Sequence, residues 1–164
     1  MDMVTAPESF PAYCRRERAA LVRLAIRLTG SAADGEDLAQ DVLERLSRRW
    51  PQLGALDSVD SYARRALINQ SRTRHRRRQS EQALLGRLAA QAVPPSSAGN
   101  TADDGMWALV RALPGRQPAV VALVALEGRS HAEVAAILGI SAANSRQTYS
   151  RACRRLRVWV RELA

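Results

Sequence analysis

The stretch that decides the fold is GRSHAEVAAILGISAANSRQTYSRACRRLR, residues 128–157. Ser130 followed by Glu133 forms a capping box, in which the hydroxyl and the carboxylate accept backbone N–H groups at the start of a helix. Gly139 suits the left-handed conformation that ends a helix, and Ser141 can cap a second one. The pattern predicts a helix-turn-helix, whose second helix lies in the DNA major groove. The alternative is an ordinary helical hairpin in a small bundle.

The second helix of this motif has two different faces. A seam at helical spacing is predicted to face the core, formed by Ala142, Ser145, Tyr149, Ala152 and Leu156. The outward face can contact base edges and carries Asn144, Arg146, Gln147, Thr148, Ser150 and Arg151. Arg154 and Arg155 lie beyond these turns and are predicted to contact phosphates. Ser145 is unusual, because a polar residue in such a seam either bonds back to its helix or loosens the packing.

The composition favours a helical protein that binds a polyanion. Of 164 residues 46% are hydrophobic but only 4% are aromatic, so small aliphatic side chains must fill the interior. Runs of alternating β-branched residues are not apparent, which predicts an all-α fold. A net charge of +9 and a pI near 11.2 indicate a nucleic-acid partner.

Nothing in the sequence predicts a metal site, a cofactor or a membrane segment. Cys14 and Cys153 lie far apart without a ligand pattern around them, so neither zinc nor a disulfide framework is expected. The N-terminus is acidic and lacks the apolar segment of a signal peptide. No apolar run approaches the roughly 18 residues that span a membrane. We expect a cytoplasmic protein with reduced thiols.

A stretch rich in proline, serine, glycine and aspartate divides the chain. The segment AVPPSSAGNTADD, residues 92–104, is predicted to be a flexible linker between domains at 1–91 and 105–164. Apolar stripes predict four helices in the first domain. These comprise a helix or helix pair ending at Thr29, a helix that ends before Pro51, a long helix from about Ser61 to Arg78, and a fraying extension after it.

Acidic residues cluster in GEDLAQDVLERL, residues 35–46, on an otherwise basic chain. Asp37, Asp41 and Glu44 share one helix face with Glu36 nearby. Acids in a first turn also complement the helix dipole. The residues alone therefore leave two interpretations open, a solvated face or a docking face for a basic protein surface.

Arginines dominate SYARRALINQSRTRHRRR, residues 61–78. Such charges neutralise phosphates, and the segment is more typical of a solvated or phosphate-facing surface than of a base reader. Asn69 is a poor helix former in mid-helix. It either contacts a base edge or points into water.

Together these segments resemble one family, the group IV or extracytoplasmic-function (ECF) sigma factors of the sigma-70 family, and most closely its SigE-like actinobacterial group. Residues 21–50, LVRLAIRLTGSAADGEDLAQDVLERLSRRW, are similar to regions 2.1 and 2.2. Residues 61–78 are similar to regions 2.3 and 2.4, and residues 108–141 to region 4.1 and the first helix of region 4.2. The similarity covers nearly the whole chain.

The resemblance implies a role for each segment. The region 2.2 helix would bind the clamp helices of the polymerase β′ subunit through Glu36, Asp37, Gln40, Asp41 and Glu44. The minus-10 element would be melted and bound by Asp57, Ser58, Tyr62, Arg65, Asn69, Arg72 and Arg76. The minus-35 element would be read as duplex by Asn144, Arg146, Gln147, Thr148, Ser150, Arg151, Arg154 and Arg155.

The partners implied are core RNA polymerase, at its β′ clamp helices and β flap, promoter DNA and in some cases an anti-sigma factor. Catalytic residues are not implied. Ser145 and Tyr149 depart from the family's apolar pattern in the recognition helix. An alternative from another class is an autonomous helix-turn-helix regulator that binds duplex DNA without polymerase. Such proteins usually dimerise, and no dimerisation helix is apparent after Leu156.

Overall fold

The computed structural model describes residues 8–53, 58–88 and 102–163, and this part of the chain is helical without strands. The helices are α1 (Phe10–Thr29), α2 (Ala32–Leu53), α3 (Val59–Leu88), α4 (Ala102–Ala112), α5 (Gln117–Val121), α6 (His131–Leu138) and α7 (Ala142–Leu163). A π-helical turn, Ala122–Leu126, continues α5. The all-α fold with two helical modules is confirmed. We call α1–α3 the N-terminal module and α4–α7 the C-terminal module.

The described part of the N-terminal module contains three helices, where the sequence predicted four. The segment predicted as a helix or helix pair is one continuous helix, α1. The predicted extension after Arg78 is continuous with the long helix and, up to Leu88, forms the last third of α3. Pro11 lies in the first turn of α1 and Gly86 in the last turn of α3, so neither residue breaks the middle of its helix. The helix predicted to end before Pro51 runs on to Leu53, whose buried side chain holds the last turn.

The predicted linker falls mostly outside the described residues. Its first ten positions, 92–101, are not described, and its last three, 102–104, form the first turn of α4. Asp57, predicted to contact the minus-10 element, also lies outside the described part.

Capping residues fix the ends of α1 and its turn into α2. The Ser9 hydroxyl accepts from the N–H of Ala12 at 3.4 Å. Gly30 adopts φ 79°, a left-handed conformation that favours glycine, and its N–H donates to the carbonyl of Ile26. The Ser31 hydroxyl then accepts from the N–H of Asp34 at 3.3 Å. The two helices therefore fold back on each other as an antiparallel pair.

Aliphatic side chains fill most of both cores, as the composition predicted, together with the aromatic rings of Tyr13 and Trp107. The N-terminal module buries Tyr13, Leu21, Leu24, Leu38, Val42, Leu46, Leu67 and Ile68. The C-terminal module buries Trp107, Val110, Leu113, Val120, Leu123, Val134 and Ile137. No helix in the described residues is long and apolar enough to cross a membrane.

At Gly35 the helix α2 lies directly against the backbone of α1, which leaves no room for a side chain. A Cβ placed there would lie 2.6 Å from the backbone nitrogen and 2.7 Å from the Cα of Ile26. Because that obstacle is backbone, a rotamer change cannot relieve it.

We predict that Gly35→Ala lowers the free energy of unfolding by about 1–3 kcal/mol, because the added methyl forces α1 and α2 apart. Urea unfolding followed by circular dichroism measures it. The matched control is Gly105→Ala in α4, where nothing lies within 4 Å of the added Cβ. An equal effect of the two substitutions would contradict the close approach.

Candidate nucleic-acid interface

The helix-turn-helix has the capping that the sequence predicts. The Ser130 hydroxyl accepts from the N–H of Glu133 at 3.3 Å, and Glu133 Oε2 accepts from the N–H of Ser130 at 2.8 Å. Gly139 ends α6 with φ 65°. The Ser141 hydroxyl accepts from the N–H of Asn144 at 3.0 Å and caps α7. The orientation of α7 is thus set by local hydrogen bonds on both sides of the corner.

The capping box also acts on the Glu133 carboxyl. The backbone N–H of Ser130, then its hydroxyl, then Arg129 at 3.1 Å favour the charged form and lower the pKa of Glu133 to about 2. A carboxyl with a lowered pKa stabilises the fold above its unfolded-state pKa and loses that effect as pH falls towards the folded value. The cap is therefore formed throughout the neutral range.

The face of α7 predicted to read DNA points into solvent. Among its predicted contact residues Thr148 is half-buried, and its hydroxyl donates to Asn144 Oδ1 at 3.0 Å. The others are exposed, namely Asn144, Arg146, Gln147, Ser150, Arg151, Arg154 and Arg155. The predicted seam is buried or half-buried at each of its positions. The helix therefore presents a polar, arginine-rich face away from its own module.

Ser145, the polar residue in the seam, has a partner that sequence reasoning missed. Its side chain is fully buried, and its Oγ lies 2.8 Å from Nδ1 of His131 at the start of α6. The His131 ring packs edge-on against Tyr149, with ring centroids 5.8 Å apart. The two departures from the family pattern thus belong to one cluster that joins α6 to α7. A histidine at a helix start, opposite a polar seam position, was the signal available in the sequence.

The acidic face of α2 divides into an exposed part and a paired part. Glu36, Asp37, Gln40 and Glu44 are exposed, and Gln40 Nε2 donates to Glu44 Oε1 at 3.3 Å. Asp41 is half-buried and accepts from Gln70 Nε2 at 3.1 Å and from Arg74 at 2.5 Å. Asp41 therefore also ties α2 to α3.

The arginines of α3 also divide into some that pair with acids of α2 and others that are exposed. Arg74 pairs with Asp41, and Arg78 Nη2 lies 2.7 Å from Asp34 Oδ1, which lowers the pKa of Asp34. These contacts turn one side of the run towards α2.

A second side of α3 carries the predicted minus-10 residues. Arg65, Asn69, Arg72 and Arg76 are exposed and follow helical spacing along one face. Ser58 lies at the helix start, where its hydroxyl accepts from the N–H of Ser61 at 3.2 Å.

Tyr62 is less accessible than the arginines of this face. It is half-buried, and its hydroxyl accepts from Arg49 Nη1 at 2.9 Å. The Arg49 guanidinium also lies 5.9 Å from the ring centroid. Tyr62 thus borders a groove of about 240 Å³ between α2 and α3, lined by Val42, Arg45, Leu46, Arg48, Arg49, Tyr62 and Ala66.

Two family profiles match the two modules. The profile described as "Sigma-70 region 2" matches residues 14–81, and that described as "Sigma-70, region 4" matches residues 104–156. An RNA polymerase sigma-E factor of Streptomyces avermitilis is 33% identical over 148 residues, which is 90% of this chain and 83% of the relative. That of Streptomyces coelicolor is 32% identical over 148 residues, 90% of this chain and 84% of the relative.

The chain belongs to the sigma-70 family of RNA polymerase sigma factors. A region 2 match followed along the chain by a region 4 match, with relatives named sigma-E, confirms the ECF type inferred from the motifs. The region 2 match argues against an autonomous helix-turn-helix regulator. Such a regulator would explain the C-terminal module but not the N-terminal module that matches region 2.

A solved structure shares the fold. It is described as a co-crystal structure of the sigma factor RpoE in complex with the anti-sigma factor NepR from Bartonella quintana. The TM-score is 0.73 with 22% sequence identity, and the match covers 93% of this sigma factor and 96% of that chain.

We predict that Ser145→Ala lowers the free energy of unfolding by about 1 kcal/mol, because it leaves the His131 nitrogen without its partner. His131→Ala should cost a similar amount, and the double substitution less than the sum. Urea unfolding of the four proteins completes the double-mutant cycle. Strict additivity would show that the 2.8 Å contact contributes nothing to the packing of the motif.

Proposed function

We propose that this sigma factor binds core polymerase through α2 and reads promoters through α3 and α7. The observation that carries the proposal is the separation of charge. The exposed acids of α2 form one face, whereas exposed arginines form the reading faces of α3 and α7 on a chain of net charge +9. An acidic face repels phosphates, so it suits a basic protein surface.

The proposed docking face for the β′ clamp helices consists of Glu36, Asp37, Gln40, Asp41 and Glu44. Glu36, Asp37, Gln40 and Glu44 are exposed, which suits direct contact with a partner. Asp41 shares its carboxylate with Arg74, so it supports the position of the face as well as adding to its charge. The C-terminal module is the proposed partner of the β flap.

The proposed minus-35 contacts lie on the outward face of α7. Arginine, asparagine and glutamine can make bidentate contacts to guanine or adenine edges. Arg146, Gln147, Ser150 and Arg151 lie within the first turns of the helix, nearest the corner, where a recognition helix contacts bases. Arg154 and Arg155 lie further along and suit phosphates.

The proposed minus-10 contacts lie on α3 and just before it in the sequence. Arg65, Asn69, Arg72 and Arg76 provide one polar face, with Ser58 and Tyr62 near the helix start. Asp57, which precedes Ser58 in the sequence, is proposed as a further contact. Extruding a base from the stack costs a few kcal/mol. Arginine contacts to the separated strand offset that cost through phosphate pairing, which depends on salt.

The remaining proposals concern the activity, cofactors, partners and localisation of the sigma factor. Sigma factors are in general not enzymes, and we propose the same for this chain, with neither metal nor cofactor. Core polymerase and promoter DNA are its proposed partners in the cytoplasm. The Bartonella structure contains an anti-sigma factor, and a similar inhibitor is proposed here as a further partner.

Asp37→Arg should weaken binding to core polymerase by two orders of magnitude or more, because a like-charge contact at an interface costs several kcal/mol. Asp37 is the better test position, since reversing Asp41 would also break the pair with Arg74. Fluorescence anisotropy of the labelled sigma factor with core enzyme measures it. Glu162→Arg, at an exposed position near the end of α7, is the matched control. Unchanged affinity of the Asp37 variant would contradict the docking face.

Arg146→Ala should weaken binding to promoters with the preferred base by about 1–3 kcal/mol and thereby reduce transcription from them. It should also relax specificity at that one base position. Arg154→Ala, the comparison variant, should weaken binding to all promoters alike. It should also reduce the slope of log K against log salt concentration by about 1. Run-off transcription on a set of minus-35 variants separates the two patterns. If the Arg146 variant loses transcription equally on all minus-35 variants, Arg146 contacts a phosphate and not a base.

A further inference from the structure

A cavity of about 630 Å³ lies between α3 and the corner that joins α4 to α5, with the end of α1 beside it. We call it the α3–α4 cavity. Its volume falls within the range of about 300–1,000 Å³ that holds small-molecule ligands. Among the described residues, none of α2 or α7 lines it. It therefore lies apart from the proposed docking face and from the recognition helix.

One part of the wall is apolar. Its residues come from α1, from α3 and from the α4–α5 corner, namely Leu28, Ile68, Leu113, Pro114, Pro118 and Ala119. These aliphatic side chains and proline rings offer surface that an apolar group would bury away from water, which favours binding. The wall therefore suits a ligand with an apolar portion.

The other part of the wall is basic. Arg72 and Arg76 lie one turn apart on α3, and Arg111 comes from the last turn of α4. Within the described residues no Asp or Glu lines the cavity, and none of these three arginines forms an ion pair. Arg74 and Arg78 of the same run pair instead with acids of α2. The cavity thus collects the arginines that the fold leaves without a carboxylate.

Arg111 is half-buried and held in a fixed position. Its Nη1 donates to the carbonyl of Arg27 at 3.2 Å, and a Cβ at Gly30 would lie 2.8 Å from its Cζ. Burial lowers the pKa of Arg111, and the charge of Arg27 adds to this, although Asp104 acts in the opposite direction. Asp104 Oδ1 also lies 3.2 Å from Arg27 Nη1. A buried cation of this kind is stabilised by an anion placed beside it.

The chemistry of the wall favours a phosphate group over a carboxylate. Guanidinium groups bind phosphate through paired N–H donors, and a phosphate ester carries nearly two negative charges where a carboxylate carries one. DNA phosphates are the other anions that suit Arg72 and Arg76, which are also proposed minus-10 contacts. A face that contacts DNA needs neither the half-buried Arg111 nor an apolar wall, so the full set of residues favours a small ligand.

We propose that the α3–α4 cavity binds a small organic phosphate. The phosphate group lies among Arg72, Arg76 and Arg111, and the apolar portion packs against Leu113 and Pro114. Binding requires neither core polymerase nor promoter DNA, so the site adds a ligand to the function proposed above.

Isothermal titration calorimetry of the full-length chain with 1-naphthyl phosphate tests the site, because this probe joins a phosphate to an apolar ring system. Inorganic phosphate and 1-naphthol, the two halves of the probe, are titrated in parallel. We expect saturable binding that is about ten-fold tighter, or more, than that of either half, since both parts of the wall contribute. No binding of 1-naphthyl phosphate, or equal affinity for one of its halves, would overturn the proposal.

Arg76→Gln should weaken binding of 1-naphthyl phosphate about ten-fold, because an amide cannot form the paired, charge-assisted hydrogen bonds of a guanidinium. Arg77→Gln is the matched control, since Arg77 is the next residue of α3, is exposed and does not line the cavity. Both substitutions remove one positive charge from the same turn. An equal loss with both would mean general attraction to a basic chain and would also overturn the site.

Ala112→Trp gives a second decision without a change of charge. Ala112 is an exposed residue of the wall, so an indole at this position fills part of the cavity. The variant should lose probe binding about ten-fold or more, while circular dichroism checks that it stays helical. Unchanged binding by a helical Ala112 variant would place the probe elsewhere and contradict the proposal.

Run-off transcription by the wild-type chain with core enzyme separates this site from the proposed function. Intact transcription together with no probe binding shows that Arg72 and Arg76 serve DNA alone, which sinks the ligand site only. Absent transcription together with specific probe binding sinks the proposed function and leaves the ligand site standing.

Discussion

The buried guanidinium of Arg64 is the interaction on which the arrangement of the two modules depends. Burial lowers the pKa of this group, but hydrogen bonds to Glu127 and Glu17 raise it by more, so the pKa lies above its ordinary value and the charge is retained. A retained charge in the interior must be paired. Its two partners come from α1 and from the end of the π-helical turn, so one arginine fixes where three parts of the chain meet.

Pairing also divides the charged surfaces into structural and functional parts. Asp34 and Asp41 on α2 hold Arg78 and Arg74 on α3, which uses one side of each helix for packing. The remaining acids of α2 are exposed, and so are Arg65, Arg72, Arg76 and Arg77 of α3. A basic chain can thereby keep exposed acids available for a protein partner, while Asp41 pairs with Arg74 and Glu44 lies 3.7 Å from Arg48.

Local signals in the sequence predicted the parts of the structure that local physics determines. The capping box at Ser130, the left-handed Gly139 and the seam of α7 were all readable, because each depends on residues a few positions apart. The partner of Ser145 was not, because it lies 14 residues away on another helix. Arg64 and Glu127 are 63 residues apart. Within an arginine-rich segment, nothing local distinguishes the one arginine that is buried.

The most direct measurement of the central claim is transcription from fragmented genomic DNA by purified core polymerase, with and without the chain, followed by sequencing of the RNA 5′ ends. A two-module sigma factor should create new start sites that share two conserved elements upstream. The chain alone should leave duplex fragments unshifted in a gel, because reading requires core enzyme. Start sites identical with and without the chain, together with a gel shift by the chain alone, would contradict the assignment.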